Sequence, residues 1–86
     1  KMNWRVILAK SAEKQFRRLP APEMQRVSDT LNAMQANPLG GDVVKLVGMK
    51  SAWRRRVGNY RILFELAAEK NIVFIHEIIR RTTTTY

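Results

Sequence analysis

Apolar residues at the start of the chain predict a strand followed by a helix. Residues 4–8 (WRVIL) form a short apolar run with β-branched side chains, which is typical of a strand. Ser11 then stands where a hydroxyl can cap a helix, and Ala12, Phe16 and Leu19 recur at the spacing of one helical face. We therefore expect a first strand that leads directly into an amphipathic helix.

Prolines separate this helix from a second one. Residues 19–22 (LPAP) end the first helix, and Pro22 suits the first turn of the next, where its missing N–H does no harm. Apolar residues then recur along one helical stripe: Met24, Val27, Leu31 and Met34. Residues 37–41 (NPLGG) end the stripe, so the pattern predicts a helical hairpin.

The second half of the chain changes to the period of strands. Residues 53–57 alternate, and the pair 58–59 (GN) marks a turn before the apolar run 60–66. Residues 69–71 form a second turn signal before the run 72–79. Two short turns in succession imply an antiparallel meander, because consecutive strands can then pair directly.

The predicted architecture is α+β, in the order β-α-α-β-β-β, with the helical hairpin packed on one face of a small antiparallel sheet. The 86 residues fit one domain, 1–86, and 45% apolar residues suffice for a two-layer core. Helices on one side only would leave the other face of the sheet open to a ligand.

Charge indicates what that ligand is. The chain carries 16 Lys and Arg against 7 Asp and Glu, a net charge of +9. Such an excess favours nucleic acid or an acidic protein partner over a merely solvated surface. The densest basic cluster, residues 54–56, falls in a predicted strand, whereas a membrane surface calls for a basic amphipathic helix. We therefore expect nucleic acid as a partner, and no membrane.

Composition limits the chemistry further. The chain has no cysteine and one histidine, so we expect no disulfide, no metal site and no cofactor. The absence of cysteine fits a reducing cytosol, and no apolar run approaches the ~20 residues that span a bilayer. A cytoplasmic protein is the expectation.

Strand alternation predicts which way the central arginines point. If Trp53 and Val57 face the core, Arg54 and Arg56 face the opposite side. Their spacing of about 7 Å is then close to that of successive phosphates in a single-stranded nucleic acid. Arg55 falls on the core side, where we expect its long side chain to reach an edge.

More arginines follow on the next two strands. Arg61 comes just after the turn, and Arg80 and Arg81 end the last strand. Any one of them alone is most simply a solvated surface charge. As a set, they predict four or five guanidinium groups that converge on the open face of the sheet and bind phosphate.

These residues together resemble the RelE/ParE toxin superfamily. Residues 53–61 (WRRRVGNYR), the arginines that end the last strand and Tyr86 match its pattern, and residues 45–48 (KLVG) resemble a K-L-x-G that precedes it. The helical hairpin also fits, so the likeness covers nearly the whole chain. It is specific for the superfamily rather than for one branch, because gyrase-poisoning ParE members share the central motif.

The resemblance implies a RelE-like fold and a toxin of a type II toxin–antitoxin system that is held in check by a cognate antitoxin. It also implies a ribosome-dependent, metal-independent endoribonuclease, which works beside rRNA and cleaves mRNA in the A site by attack of a 2′-hydroxyl on the adjacent phosphate. Two alternatives remain: a ParE-like, non-enzymatic poison of DNA gyrase, and an inactive relative that only binds an antitoxin. The terminal arginine and Tyr86 favour the ribonuclease, because a gyrase poison does not need them.

The resemblance can be carried over residue by residue. The catalytic positions fall on Arg54, Arg56, Arg61, Arg80 and Tyr86, and further RNA contacts are expected from Lys45, Lys50 and Arg81. The chain has arginine at the first two positions, where the best-known member has lysine, and the pair Arg80-Arg81 leaves the register open by one residue. In this chemistry the arginines stabilise a pentavalent phosphate, while Tyr86 stacks on a base or orients a group.

The proton of the 2′-hydroxyl needs a separate acceptor, because arginine stays protonated in proteins. His76, the only histidine, is the candidate general base. Alternation places it on one face with Phe74 and Ile78, while Val73, Ile75 and Glu77 share the other face. A packed, hydrogen-bonded strand histidine is the competing interpretation, which alternation alone does not exclude.

Overall fold

The computed structural model describes residues 3–47 and 52–80 as a helical hairpin on a five-stranded sheet. The elements follow in the order β1 (Arg5–Leu8), α1 (Lys10–Arg17), α2 (Ala21–Met34), β2 (Val43–Lys45), β3 (Ala52–Val57), β4 (Tyr60–Ala67), a 3₁₀ turn (Ala68–Lys70) and β5 (Ile72–Arg80). The predicted α+β class, with both helices on one side of the sheet, is confirmed.

The sheet contains one strand and one pairing that the sequence pattern did not indicate. The strand order is β1-β5-β4-β3-β2. Strands β3 to β5 pair antiparallel, as predicted; the additional strand β2 pairs antiparallel with β3, and β1 pairs parallel to β5. The helical hairpin and strands β2 to β4 lie between β1 and β5 in the chain, which exceeds the dozen or so residues that a parallel pairing requires. Strand β2 has only three residues, too few for an alternating pattern to stand out.

The core lies between the helices and one face of the sheet. The helices contribute buried Ala12, Val27 and Met34, their connection contributes Leu19, and the strands contribute Val57, Ile62, Phe64, Val73, Ile75 and Ile78. The predicted stripe on α2 therefore faces the core, with Met24 and Leu31 packed at its margins. No helix among residues 3–47 and 52–80 is both long and apolar enough to cross a membrane.

Helix α1 begins without the hydroxyl cap that the sequence predicted. The residue before its first turn is Ala9, which makes no side-chain cap, whereas Pro22 stands in the first turn of α2 as expected. Ser11 instead donates its hydroxyl to the backbone carbonyl of His76, at 2.9 Å. The predicted cap is wrong because Ser11 lies inside α1, where its hydroxyl bonds to the sheet instead.

Ser11 belongs to a larger contact in which α1 covers an edge of β5. Strand β1 pairs with β5 only as far as Ile75, so the backbone beyond that residue lacks a neighbouring strand on this side. Gln15 accepts a hydrogen bond from the Ile78 N–H at 2.7 Å. Side chains of α1 thus replace a strand along this edge, which would otherwise carry unpaired backbone groups.

Arg55 holds the loop before β2 against β3. Its Nη1 donates to the carbonyl oxygen of Gly40 at 2.7 Å, so its side chain reaches the margin of the sheet. Gly41 has a φ of +79°, and a Cβ there would lie 2.6 Å from Cζ of Arg55. The positive φ favours glycine at this position, and any other residue would also have to displace the Arg55 side chain.

We expect Phe64→Ala to lower the free energy of unfolding by about 3–5 kcal/mol, because Phe64 is fully buried at the centre of the core. Urea denaturation followed by circular dichroism measures this change. Val44→Ala is the matched control on the exposed edge strand, and we expect it to change stability by less than about 1 kcal/mol. Similar losses in the two variants would contradict this assignment of the core.

Candidate nucleic-acid interface

Three arginines share the face of the sheet that the helices leave open. The register pairs Trp53 with Phe64, which faces the core, so the residues that alternate with them face the other way. Those residues are Arg54, Arg56 and Arg61, which we call the arginine cluster. Arg56 and Arg61 are direct cross-strand partners, and Arg54 lies one row further along β3.

The arginine cluster is electrostatically strained. Two like charges directly opposite each other on neighbouring strands reduce the stability of a sheet. The Nε atoms of all three arginines are buried and find no hydrogen-bond partner within the described part of the chain. Asp42 offers partial compensation, since its Oδ2 lies 3.7 Å from Nε of Arg56. Three guanidinium groups concentrated on one open face are suited to an anionic ligand.

Arg80 does not lie with the arginine cluster. It pairs with Tyr60, and its side chain lines a small pocket of about 120 Å³ with Pro20, Glu23 and Tyr60. Pro20 and Glu23 belong to the helical hairpin and its connection, so this pocket lies on the helix side of the sheet. The structure therefore separates Arg80 from the three arginines with which the sequence pattern grouped it.

Of the remaining predicted site residues, Lys45 is the one that the structure describes. Lys45 pairs with Trp53 across β2 and β3, and its Nζ lies 5.8 Å from the centroid of the Trp53 ring. It therefore shares the face of Trp53 rather than that of the arginine cluster. Lys50, Arg81 and Tyr86 lie outside the described residues.

An irregularity between β4 and β5 determines where His76 points. Leu63 pairs with Glu77 and Phe64 with Ile75, so His76 is an extra residue without a partner on β4. Such a bulge interrupts alternation. Ile78 is consequently buried in the core with Ile75, and the prediction that it shares a face with His76 is wrong. The prediction that Glu77 faces away from His76 is also wrong, because Glu77 pairs with Leu63 and lines the same cleft as His76. His76 does lie beside Phe74, with ring centroids 4.8 Å apart at 84°.

His76 lies beside a carboxylate that the sequence analysis did not single out. Its Nε2 is 2.9 Å from Oε2 of Glu65, although the N–H direction is not aligned for a regular hydrogen bond. The side chains are 40% and 48% exposed, so solvent or a ligand can reach both. Alternation from Arg61 along β4 could have identified Glu65 as a residue of the open face, but not its contact with His76.

The pair lies in a cleft next to the arginine cluster. The cleft has a volume of about 280 Å³, and its apolar lining includes Leu46, Ala52 and Leu63. Glu65, His76 and Glu77 provide its polar groups. Within residues 3–47 and 52–80, no three His, Asp or Glu side chains come together as metal ligands would. The open face thus combines a cationic region with a histidine–carboxylate region.

We expect Arg61→Thr to raise the free energy of unfolding by about 0.2–1 kcal/mol, because it removes the repulsion from Arg56 and keeps a good strand former. Denaturation at low and high salt measures the effect, which should shrink at high salt. Arg54→Thr is the matched control, since Arg54 faces Leu63 instead of a second charge. A loss of stability specific to Arg61→Thr would show that the pair is not strained.

Comparison with known proteins places these features in a family. The family model for the ParE toxin of the type II toxin–antitoxin system parDE matches residues 6–84. A curated relative, the putative toxin RelE1 of Methanocaldococcus jannaschii, is 24% identical over 83 residues, which cover 93% of this chain and 92% of the relative.

Solved structures of similar proteins show the same fold. The archaeal RelE–RelB complex from Pyrococcus horikoshii OT3 contains a chain that matches with a TM-score of 0.84 at 24% identity, covering 96% of this chain and 100% of that one. The YoeB/ParE toxin from Agrobacterium tumefaciens matches with a TM-score of 0.78 at 15% identity, covering 91% and 99%. With a family model matching nearly its whole length, the chain belongs to the ParE toxin family of type II toxin–antitoxin systems, within the RelE/ParE superfamily.

Proposed function

We propose that this toxin is a ribosome-dependent endoribonuclease that cuts mRNA in the A site of cytoplasmic ribosomes. The arginine cluster on the open sheet face carries this proposal, because it presents three guanidinium groups to a ligand without competition from the helices. Phosphate is the ligand that such a set recognises best, since each guanidinium can donate two parallel hydrogen bonds.

The spacing of the cluster suits a phosphodiester backbone. Arg54 and Arg56 are two residues apart on β3, about 7 Å, and can contact successive phosphates. Arg61 lies opposite Arg56, so these two can hold a single phosphate between them. When the 2′-hydroxyl attacks that phosphate, the additional negative charge of the pentavalent state is stabilised by both guanidinium groups. This step uses side chains alone and needs no metal ion.

The family pattern assigns one more arginine and a tyrosine to the site. Arg80 lies on the helix side of the sheet, which favours the alternative register, in which Arg81 is the last arginine of the site. We propose Tyr86 as the residue that stacks on an mRNA base. Lys50 is proposed as an outer RNA contact that adds affinity through charge, whereas Lys45 shares the face of Trp53 and lies away from the arginine cluster.

A cognate antitoxin is the second proposed partner. The Pyrococcus relative was solved as a RelE–RelB complex, and a net charge of +9 suits an acidic antitoxin segment. Val44 supports binding on the open face, because it is 44% exposed beside Arg54. A segment with both acidic and apolar side chains could cover the arginine cluster and Val44 together. Antitoxin binding would then exclude mRNA from the same face.

Inhibition of DNA gyrase without catalysis is the alternative function. The matching family model is that of ParE toxins, and Arg80 lies apart from the arginine cluster. A protein that uses this face only for binding would need phosphate or carboxylate recognition but no proton transfer. Cleavage therefore separates the two functions.

We expect the purified toxin to cut mRNA on ribosomes that are programmed with a defined A-site codon. Primer extension locates the cut. An mRNA with a single 2′-deoxyribose at that position should bind and stay whole, because it lacks the attacking hydroxyl. Intact ribosomal mRNA together with inhibited gyrase supercoiling would support the alternative function and contradict this one.

We expect Arg61→Ala to lower the single-turnover cleavage rate by about 10²-fold or more, as for the loss of one group that stabilises transition-state charge. Arg61→Lys should recover only part of the rate, since lysine keeps the charge without the planar fork. Arg17→Ala is the matched control, because Arg17 is an exposed arginine of α1 paired with Glu13 at 3.2 Å. Equal rates for Arg61→Ala and the wild type would remove Arg61 from the site.

A further inference from the structure

The arginine cluster leaves one requirement of the proposed reaction unmet. The 2′-hydroxyl must lose a proton as it attacks, and a guanidinium group is already protonated. Glu65, His76 and Glu77 are the side chains of the adjoining cleft that can accept a proton. Each faces the side of the sheet on which the proposed substrate lies.

The position of His76 fits a role at the phosphate. His76 lies on β5, which pairs with β4, the strand that carries Arg61. The bulge at His76 lies opposite Leu63, two residues from Arg61. Neighbouring strands lie about 5 Å apart and alternate residues of one strand about 7 Å apart. The backbones of Arg61 and His76 are therefore separated by roughly 8 Å. Both side chains rise from the same face, so a ribose and its phosphate can contact both.

We propose that Glu65 positions His76 as the proton acceptor for RNA cleavage; this assignment rests on the proposed function. Oε2 of Glu65 lies 2.9 Å from Nε2 of His76, which assigns the hydrogen of the neutral ring to Nε2 and leaves Nδ1 as the basic atom. The N–H is misaligned in the free protein, and such contacts commonly tighten when substrate binds.

The surroundings of the imidazole support this division of roles. The imidazole faces Glu65 on β4, and it faces Glu77 and the ring of Phe74 on its own strand, β5. Glu77 is contacted by Nε2 of Gln15 at 3.4 Å, so it is partly engaged by α1. The rest of the cleft is lined mainly by apolar side chains, which leaves Glu65 as the carboxylate that can stabilise the imidazolium formed in the reaction.

In the proposed reaction, every bond that forms or breaks and every proton that moves is accounted for. Nδ1 of His76 takes the proton of the 2′-hydroxyl while O2′ forms a bond to phosphorus and the bond from phosphorus to O5′ breaks. The products are a 2′,3′-cyclic phosphate and a free 5′-hydroxyl. The departing O5′ takes a proton from solvent water, and the imidazolium later returns its proton to solvent.

Variants of His76 test the acceptor itself in single-turnover cleavage on programmed ribosomes. We expect His76→Ala and the larger His76→Gln each to lose about 10²-fold or more in rate, the range for general base catalysis, and to lose the acidic limb of the pH–rate profile. Added imidazole should restore part of the rate of His76→Ala and none of the rate of Arg61→Ala. Circular dichroism and urea denaturation establish that each variant is folded.

Variants of Glu65 test the positioning role. We expect Glu65→Gln to lower the rate about 10-fold with unchanged half-saturating ribosome concentration. If Glu65 acts through His76, the double variant Glu65→Gln/His76→Ala should be no slower than His76→Ala alone. Glu77→Gln is the matched control in the same cleft, and its small effect should be the same in both backgrounds.

Two results would overturn the assignment while leaving the proposed function intact. One is cleavage by folded His76→Ala at the wild-type rate. The other is an equal loss from Glu65→Gln with and without His76. If the wild-type protein leaves ribosomal mRNA whole, the proposed function fails and this assignment fails with it.

Discussion

The pairing register of β3 and β4 is the constraint on which the rest of this toxin depends. Gly58 lies in the turn between the two strands with a φ of +57°, and a Cβ there would approach Nη1 of Arg26 to 2.8 Å. The hairpin then pairs Val57 with Tyr60 and Arg56 with Arg61. If β3 shifted by one residue against β4, Arg54 and Arg56 would turn toward the helices, and Trp53 and Val57 would leave the core. One register therefore determines both the core and the site.

The arginine cluster on the open face lowers the stability of the sheet. Arg56 and Arg61 repel each other, and the buried Nε atoms of the arginine cluster lack hydrogen-bond partners in the described part of the chain. Apolar burial on the other face of the same strands provides the opposing stabilisation, with Ile62 and Phe64 fully buried. A charged site can persist here because alternation keeps it on the opposite face from the core.

The bulge at His76 modifies this simple division. It allows β5 to keep Ile75 and Ile78 in the core while one extra residue turns toward the open face. Helix α1 stabilises the strand at the same point, since Ser11 and Gln15 bond to the backbone of His76 and Ile78. The irregular segment is thus held from the helix side while its histidine faces the cleft. Bulges commonly direct a side chain into a functional site in this way.

Much of the fold could be predicted from local patterns in the sequence. The period of 3.6 residues along α2, the prolines between the helices and the Gly58-Asn59 turn each act over a few residues, so each leaves a local signal. The period of two along β3 likewise separated Arg54 and Arg56 from the core, and it predicted that Arg55 would point the other way and reach an edge.

Contacts between distant segments decided the rest. The parallel pairing of β1 with β5, the three-residue strand β2 and the hydrogen bond from Ser11 to His76 depend on residues far apart in the chain. Because of the bulge, Ile78 lies on the opposite face from the one expected. Arg80, at the end of β5, lies on the helix side of the sheet. The sequence by itself determined the helical hairpin, the meander and the arginine cluster, because periodicity acts locally. Only the tertiary structure brought Glu65 to His76, since a bulge depends on how two strands pair and not on the residues of either strand alone.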